Sequence, residues 1–273
     1  MADEALVSDE LWEAIEPYLP PAPPKSWGGR PRVPDRAALS GIIFVLRQGL
    51  RWSALPQALG YGSGVTCWRR LRAWQALGVW EAVHHTVLNW LGLLDAIRWE
   101  RASLDSASVR AKRGGEATGP NPTDRGKRGS KYHLLVDDQG VPLAALVSAA
   151  NVHDSRLLEP LVDAVPPIWR PLGEPGRPRH RPTKVHGDKG YDYPVIRQAL
   201  RRRGITPRIA RRGVESSELL GRHRWKVERT LAWVLAFRRL TVRYERHAAS
   251  VLAFLHLACA LICLRFLRRA EAV

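Results

Sequence analysis

Residues 101–110 read Arg-Ala-Ser-Leu-Asp-Ser-Ala-Ser-Val-Arg, and here the chain changes from helical to strand-forming patterns. The alternation of residue types predicts a β-strand that contains Asp105. A carboxylate within an apolar, strand-forming run is costly to bury unless a cation satisfies it. Asp105 is therefore the first candidate residue for a functional site.

Strand and helix patterns alternate downstream of this stretch. Residues Tyr132–Asp138 and Val141–Ser148 flank Gln139-Gly140, which predicts a β-hairpin. Further strands are predicted at 183–187 and 206–209, and helices at 156–165, 193–203, 217–238 and 248–268. We therefore predict that residues 98–273 form a mixed α/β domain that ends in a layer of helices.

The helical patterns upstream predict a separate all-α region over residues 1–97. A short helix at 54–59, a glycine-containing turn and a longer helix ending at Leu77 have the layout of a helix-turn-helix. Three arginines of the longer helix suit DNA phosphates or base edges in a major groove: Arg69, Arg70 and Arg72. Three helices that simply pack together show the same pattern, so the sequence leaves both interpretations open.

The positive charge of the chain is unevenly distributed. The formal net charge is +17, and residues 1–100 contribute none of it because they hold equal numbers of basic and acidic residues. Such an excess favours polyanions, with nucleic acid first among them. The linker residues Arg30 and Arg32 either reach into a DNA groove or are simply solvated. In the C-terminal part, we expect DNA-backbone contacts from Lys127, Arg128, Lys131, Arg211, Arg212 and Lys226.

Two more acidic residues lie in settings like that of Asp105. Asp188 ends the apolar run Lys-Val-His-Gly-Asp, and Glu228 lies in Arg-Trp-Lys-Val-Glu-Arg, which has helical periodicity. Carboxylates on rigid elements are the ligands that Mg²⁺ prefers. Two divalent ions can activate a water or hydroxyl for attack on a phosphate. Asp105 alone is compatible with a salt-bridged strand residue, but the three acids together predict a site whose partners are metal and DNA phosphate, not a protein counter-ion.

Short motifs occur in order over nearly the whole chain: Gly29-Arg30-Pro31, Gly49-Leu50-Arg51-Trp52-Ser53-Ala54-Leu55-Pro56, Asp105-Ser106, Asn151-Val152-His153-Asp154, Gly187-Asp188-Lys189-Gly190-Tyr191, Arg224-Trp225-Lys226-Val227-Glu228-Arg229 and Val242-Arg243-Tyr244-Glu245-Arg246. Together they resemble the DDE transposases of bacterial insertion sequences, specifically the IS-five family. The resemblance implies an RNase H-like catalytic fold and a metal-binding triad of Asp105, Asp188 and Glu228, with two Mg²⁺ or Mn²⁺ ions. The family pattern also has an arginine at Arg224, one helical turn before Glu228, which would hold the scissile phosphate or steady Glu228.

The resemblance further implies a transposase that binds the terminal inverted repeats of its element, cuts there and joins the ends to target DNA. Its partner would be double-stranded DNA, bound by a homodimer or higher assembly. The chain departs from the family at Gly221 and Leu235, where related transposases often have Tyr and Lys. Two other functions remain open: a non-catalytic helix-turn-helix regulator, and a metal-dependent nuclease of another role.

The remaining signals favour a cytoplasmic, nucleoid-associated bacterial protein without a membrane partner. The apolar run from Ser250 to Leu264 is shorter than the roughly 20 residues of a membrane span, which predicts a buried helix. No signal-peptide pattern is evident at the start of the sequence. The three cysteines have no zinc-type spacing, and Cys259 and Cys263 are predicted to be buried thiols on one helix face.

Overall fold

The computed structural model describes residues 6–22, 31–211, 213 and 217–272, and in the last segment the side chains from Arg224 onward. The N-terminal region consists of helices. They are α1 (Asp9–Ile15), α2 (Asp35–Gln48), α3 (Gly64–Ala76) and α4 (Val79–Leu93). The hydroxyls of Ser8 and Ser63 accept hydrogen bonds from Leu11 N and Thr66 N, so each serine caps the helix that follows it.

The C-terminal region combines a sheet with five helices in the described part of the chain. Its strands are β1 (Ala102–Ala111), β2 (Gly119–Pro120), β3 (Arg128–Asp137), β4 (Pro142–Ala149), β5 (Lys184–Gly187), β6 (Thr206–Ile209) and β7 (Val242–Arg243). Its helices are α5 (Ser155–Asp163), α6 (Pro194–Arg202), α7 (Ser217–Ala236), α8 (Arg238–Thr241) and α9 (Ala248–Glu271).

The sheet is mixed, with β1 at its centre. The long strands β1, β3 and β4 pair antiparallel, while β5 and β6 continue the sheet in parallel on the other side of β1. The short strands β2 and β7 pair with β3 and β1. The predicted hairpin is confirmed as β3–β4, where the buried carboxylate of Asp137 accepts hydrogen bonds from Gln139 N and Val141 N in the turn. The predicted fold class is confirmed: an RNase H-like mixed sheet with flanking helices follows an all-α region.

Helix α9 joins the two regions. It packs against α4 and β4, and one continuous cluster of buried apolar side chains extends from Val7 in the helical region to Leu267 in α9. By length and composition alone α9 could cross a membrane, but 83% of its most apolar window is buried inside the protein. The predicted buried helix is therefore confirmed. Cys259 and Cys263 are buried free thiols, as predicted, and Cys67 is also a buried free thiol.

The first helix of the predicted helix-turn-helix is not an α-helix. Residues Trp52–Ala54 and Gln57–Leu59 form two single 3₁₀ turns, separated by Leu55 and Pro56 in extended conformation. Pro56 explains the break, because proline disfavours helical backbone at the preceding residue. The connection then packs closely on α3, since a Cβ added to Gly64 would lie 1.7 Å from the carbonyl oxygen of Trp52.

Two buried histidines where α4 meets α9 predict that the protein loses stability in mild acid. His84 and His256 have ring centroids 5.7 Å apart, and burial lowers their pKa values to about 4 and about 3. Unfolded histidine takes up a proton near pH 6.5, whereas these two stay neutral in the fold. Stability is therefore complete above about pH 6.5 and declines as the pH falls towards 4, by up to about 1.4 kcal/mol per histidine per pH unit.

Urea denaturation across this pH range measures the effect. We expect His256→Leu to reduce the pH dependence and His180→Gln, at an exposed position, to leave it unchanged. An equal slope in wild type and His256→Leu would contradict the prediction.

Candidate active site

Asp105 lies in the middle of β1 with its carboxylate only partly exposed. Its Oδ1 accepts a hydrogen bond from Ser106 N at 2.8 Å, and its Oδ2 accepts one from Arg224 Nη2 at 2.9 Å. Burial raises the pKa of Asp105, the Ser106 N–H and Arg224 oppose that rise, and the charge of Asp188 adds to it. The sensitivity of the Asp105 pKa to Asp188 indicates that the two carboxylates are neighbours.

Asp188 directly follows β5, the parallel neighbour of β1. The pairs Ala102–Val185 and Ser103–His186 define the register. Continued by two residues, that register puts Asp188 level with Asp105. The Oδ1 of Asp188 accepts a hydrogen bond from Gly190 N at 2.8 Å and caps the turn Lys189–Tyr191. This leaves Oδ2 without a hydrogen-bond partner among the described residues.

Tyr191 forms an apolar floor beside these two acids. Its side chain is buried, and its ring lies 3.3 Å from where a Cβ on Gly187 would be, which explains a glycine at the end of β5. Burial raises the pKa of Tyr191 well above its ordinary value, and the charges of Asp154, Asp105 and Asp188 add to the rise. The phenol therefore stays neutral. Nearby, Lys131 Nζ pairs with Asp154 at 2.8 Å.

Glu228 and Arg224 come from α7, which packs across β1 and β5. Arg224 Nη2 lies 3.5 Å from Glu228 Oε1, so one guanidinium contacts both Asp105 and Glu228. The Glu228 side chain is 59% exposed, against 17% for Arg224 and 20% for Asp105. The expectation that these acids lack a protein counter-ion is therefore wrong, because the packing of α7 on β1 brings Arg224 between them.

Carboxylates are ligands that suit a hard divalent cation. In this structure, however, the charges of Asp105 and Glu228 are neutralised by Arg224. Within the described segments no three Asp, Glu, His or Cys side chains are grouped as ligands of a single ion. Asp188 Oδ2 and the exposed Glu228 nevertheless offer carboxylate oxygens of the kind that Mg²⁺ binds. The Arg224 Nε is buried without a partner among the described residues, so the guanidinium is itself incompletely satisfied.

The contact between Arg224 and Asp105 predicts a measurable effect on titration. In Arg224→Gln the opposing positive charge is lost while burial and Asp188 remain, so we expect the pKa of Asp105 to rise further above its ordinary value. Carboxyl-carbon NMR titration of the metal-free protein measures it. The exposed Arg156→Gln serves as the control. A pKa of Asp105 that is the same in both variants would contradict the contact.

Five of the cations expected to contact DNA form ion pairs within the protein, and one of them is Lys127, whose Nζ lies 3.5 Å from Asp124 Oδ1. Arg70 contacts Asp35 and donates to Val33 O at 3.2 Å. Arg32 also pairs with Asp35, at 3.2 Å, and Lys131 pairs with Asp154. Lys226 pairs with Asp138 in the β3–β4 turn. In the DNA-free protein these charges are therefore paired, by sequence neighbours for Arg32 and Lys127 and by acids distant in the sequence for the other three. Their contacts with DNA stay predictions.

The other predicted DNA-contact residues remain on the surface where they are described. Exposed side chains without an ion pair to a described acid belong to Arg69, Arg72, Arg128 and Arg211. Arg72 lies over the ring of Trp68, at 5.0 Å from its centroid. Arg30, Arg212 and the side-chain position at Gly221 lie outside the described residues. Leu235, at the other departure from the family pattern, packs against the hydrophobic core and so cannot replace a DNA-contacting lysine.

Sequence reasoning did not single out three exposed arginines near the end of β1: Arg51, Arg113 and Arg246. They line a common hollow although they come from three separate segments. The sequence did contain features that could have pointed to these arginines. Arg51 and Arg246 belong to motifs that carry the family resemblance, and Arg113 belongs to the basic loop 110–131.

Comparison with known proteins agrees with this architecture. A family described as "Putative transposase of IS4/5 family" matches residues 7–84, and one described as "Transposase DDE domain" matches residues 100–263. A Burkholderia cepacia protein named "Putative transposase for insertion sequence element IS402" is 52% identical over 179 residues, which are 66% of this chain and 77% of the relative. A second B. cepacia protein, "Insertion element IS402 uncharacterized 16.2 kDa protein", is 51% identical over 43% of this chain and 81% of its own length.

The first match lies within the helical region, and the second lies within the region of the sheet and its helices. The second match spans the strands and helices that carry Asp105, Asp188 and Glu228, and by itself covers more than half of the chain. The chain therefore belongs to the DDE transposases of bacterial insertion sequences, within the IS4/5 group.

Proposed function

We propose that this transposase binds the terminal inverted repeats of its element, cleaves the DNA there and transfers the ends to target DNA. Asp105, Asp188 and Glu228 would bind the metal ions. The observation that carries the proposal is the placement of these acids: Arg224 contacts both Asp105 and Glu228, and the register of β5 on β1, continued by two residues, puts Asp188 level with Asp105. The charge of Asp188 raises the pKa of Asp105, so keeping these two carboxylates side by side and ionised costs free energy that a bound cation would offset.

Domains of this family generally use divalent metal ions. We propose two Mg²⁺ or Mn²⁺ ions, which when bound would activate the attacking oxygen and stabilise the leaving one. The backbone N–H groups of Ser106 and Gly190 hold one oxygen each of Asp105 and Asp188, and so orient both carboxylates. Arg224 neutralises Asp105 and Glu228 in the metal-free protein. With metal bound at these carboxylates, the Arg224 guanidinium would be able to hold a DNA phosphate in a bidentate fork.

We also propose that the two regions have different functions. Residues 1–97 would recognise the repeat through α3, with the exposed Arg69 and Arg72 facing DNA. Residues 98–273 would carry out the chemistry. Two ends must be held together for transfer, which implies a homodimer or higher assembly on double-stranded DNA. A cytoplasmic location on the nucleoid follows from that substrate.

The test combines the purified protein, a labelled duplex carrying one end of the element, a target plasmid, and Mg²⁺ or Mn²⁺. We expect cleavage at the end, joining of the labelled strand to the plasmid, and loss of both with a chelator. Binding without cleavage would show a regulator instead. Cleavage of end and random duplexes at equal rates would show a nuclease of another role.

A further inference from the structure

A basic groove lies where the helical region meets the end of β1. It consists of two adjoining hollows of about 730 and 700 Å³. Eight Lys and Arg side chains line it. Lys127 and Arg239 pair with Asp124 and Glu245, and the other six are Arg51, Arg110, Lys112, Arg113, Arg128 and Arg246. Lys112, Arg113 and Arg246 line both hollows, so the two form one continuous surface.

Six of the eight charges that line the basic groove are not neutralised by ion pairs with described residues. All six side chains are exposed, and none forms an ion pair with an acidic residue in the described part of the chain. The neighbouring acids are already engaged: Glu245 pairs with Arg239, and Glu116 accepts hydrogen bonds from Ala248 N and His247. Six like charges in one groove repel one another, and a polyanion along the groove removes that repulsion.

The aromatic rings along the groove are already covered. Trp52 stacks on Phe254 with centroids 5.9 Å apart. Arg72 lies over Trp68 at 5.0 Å, and Lys112 lies over Tyr244 at 5.7 Å. Proteins that bind single strands offer open rings on which bases stack. Here the cations are exposed while the rings are partly buried and each already contacts another side chain, which favours recognition of the phosphate backbone of a duplex.

The position of the groove connects the two parts of the proposed DNA path. One wall of the groove includes Trp68, which lies on α3, the helix proposed to read the repeat. The other wall is formed by residues at the end of β1, namely Arg110, Lys112 and Arg113. Asp105 lies six residues before the end of that strand at Ala111, about 20 Å along an extended chain. A duplex bound to α3 and cut at Asp105 would have to cross this distance.

We propose that the basic groove binds the sugar–phosphate backbone of the transposon-end duplex between α3 and the acidic triad. This inference rests on the proposed function and specifies where its substrate lies. It predicts that the groove arginines supply several of the phosphate contacts, and therefore part of the salt dependence of binding.

The test compares two triple variants of the full-length protein with equal loss of charge. The groove variant is Arg51→Ala/Arg113→Ala/Arg246→Ala. The control is Arg98→Ala/Arg177→Ala/Arg265→Ala, at exposed arginines outside the groove that also lack ion pairs with described residues. Fluorescence anisotropy with a labelled end duplex across a salt series gives the slope of log affinity against log salt. We expect the groove variant to lose about 2.7 from the magnitude of that slope, since each phosphate contact contributes about 0.9, and the control to lose less than about 1.

Equal slopes and affinities in the two triple variants would overturn the inference. Thermal melting shows whether both variants are folded; should the groove triple variant not fold, Arg113→Ala alone should lower the slope by about 0.9. Wild type and Asp105→Asn distinguish the two levels of the proposal. Cleavage that survives in Asp105→Asn refutes the proposed function, whereas cleavage by wild type with no difference between the triple variants refutes only the groove.

Discussion

Replacement of Asp188 by Asn is expected to lower strand cleavage by more than about 100-fold while DNA binding stays intact. Loss of a residue that only supports a metal ligand typically costs 10–100-fold in activity, so loss of a ligand should cost at least as much. Asn keeps the size of the side chain and can still accept the hydrogen bond that Gly190 N donates to Oδ1. The local turn should therefore persist, and the effect is one of charge and metal binding.

Asp105→Asn and Glu228→Gln should have the same effect, and a double variant should be no worse than either single variant, because residues that act as a unit are not additive. The measurement is the rate of cleavage of a labelled end duplex, with anisotropy for binding. Asp163→Asn is the matched control, since it removes a carboxylate from an exposed ion pair with Arg203. A cleavage rate of the Asp188→Asn variant equal to that of wild type would contradict the assignment of Asp188 as a metal ligand.

Glu245→Ala is expected to destabilise the fold by about 3–5 kcal/mol, the usual cost of leaving one partner of a buried ion pair uncompensated. Arg239 and Glu245 are 6% and 7% exposed, and Arg239 donates to Glu245 Oε1 from both Nε and Nη2, at 2.8 and 2.6 Å. Arg239 also donates to Leu50 O at 2.6 Å, so the pair ties the C-terminal region to the helical region. Its loss should weaken that junction as well.

Urea denaturation measures this effect against an exposed pair. Arg268 and Glu10 are 3.3 Å apart with side chains 43% and 41% exposed, and Glu10→Ala should cost less than about 1 kcal/mol. Glu245→Gln keeps an acceptor for Arg239 and should fall between the two. Equal losses in Glu245→Ala and Glu10→Ala would show that the buried pair contributes no more than a surface pair.

Local pattern was enough to predict the elements of this protein. Alternation around Asp105, the Gln139-Gly140 turn and the helical periodicity of 217–238 and 248–268 predicted strands, hairpin and helices within a few residues of those in the structure. These features depend on neighbours in sequence, so they can be read without the fold. Where a local signal was overlooked, as at Pro56, a predicted helix became two 3₁₀ turns.

The order of the motifs predicted the candidate triad, but it could not predict which side chains surround the triad. Whether a basic side chain faces solvent or an acid depends on which elements pack together. Arg70 meets Asp35 from another helix, and Lys226 meets Asp138 from a hairpin turn. Arg224 lies between Asp105 and Glu228 only because α7 crosses β1.

By itself, then, the sequence determined the mixed α/β class, the helical N-terminal region and the three acidic candidates, because periodicity and short motifs are local properties. Only the tertiary structure decided which charges neutralise one another. It placed Arg224 between Asp105 and Glu228, and it gathered Arg51, Arg113 and Arg246 into one groove, where they form no ion pair with described residues. The physical reason is that electrostatic pairing acts over a few ångströms in space, and residues far apart in the chain reach that distance only through the packing of the sheet and its helices.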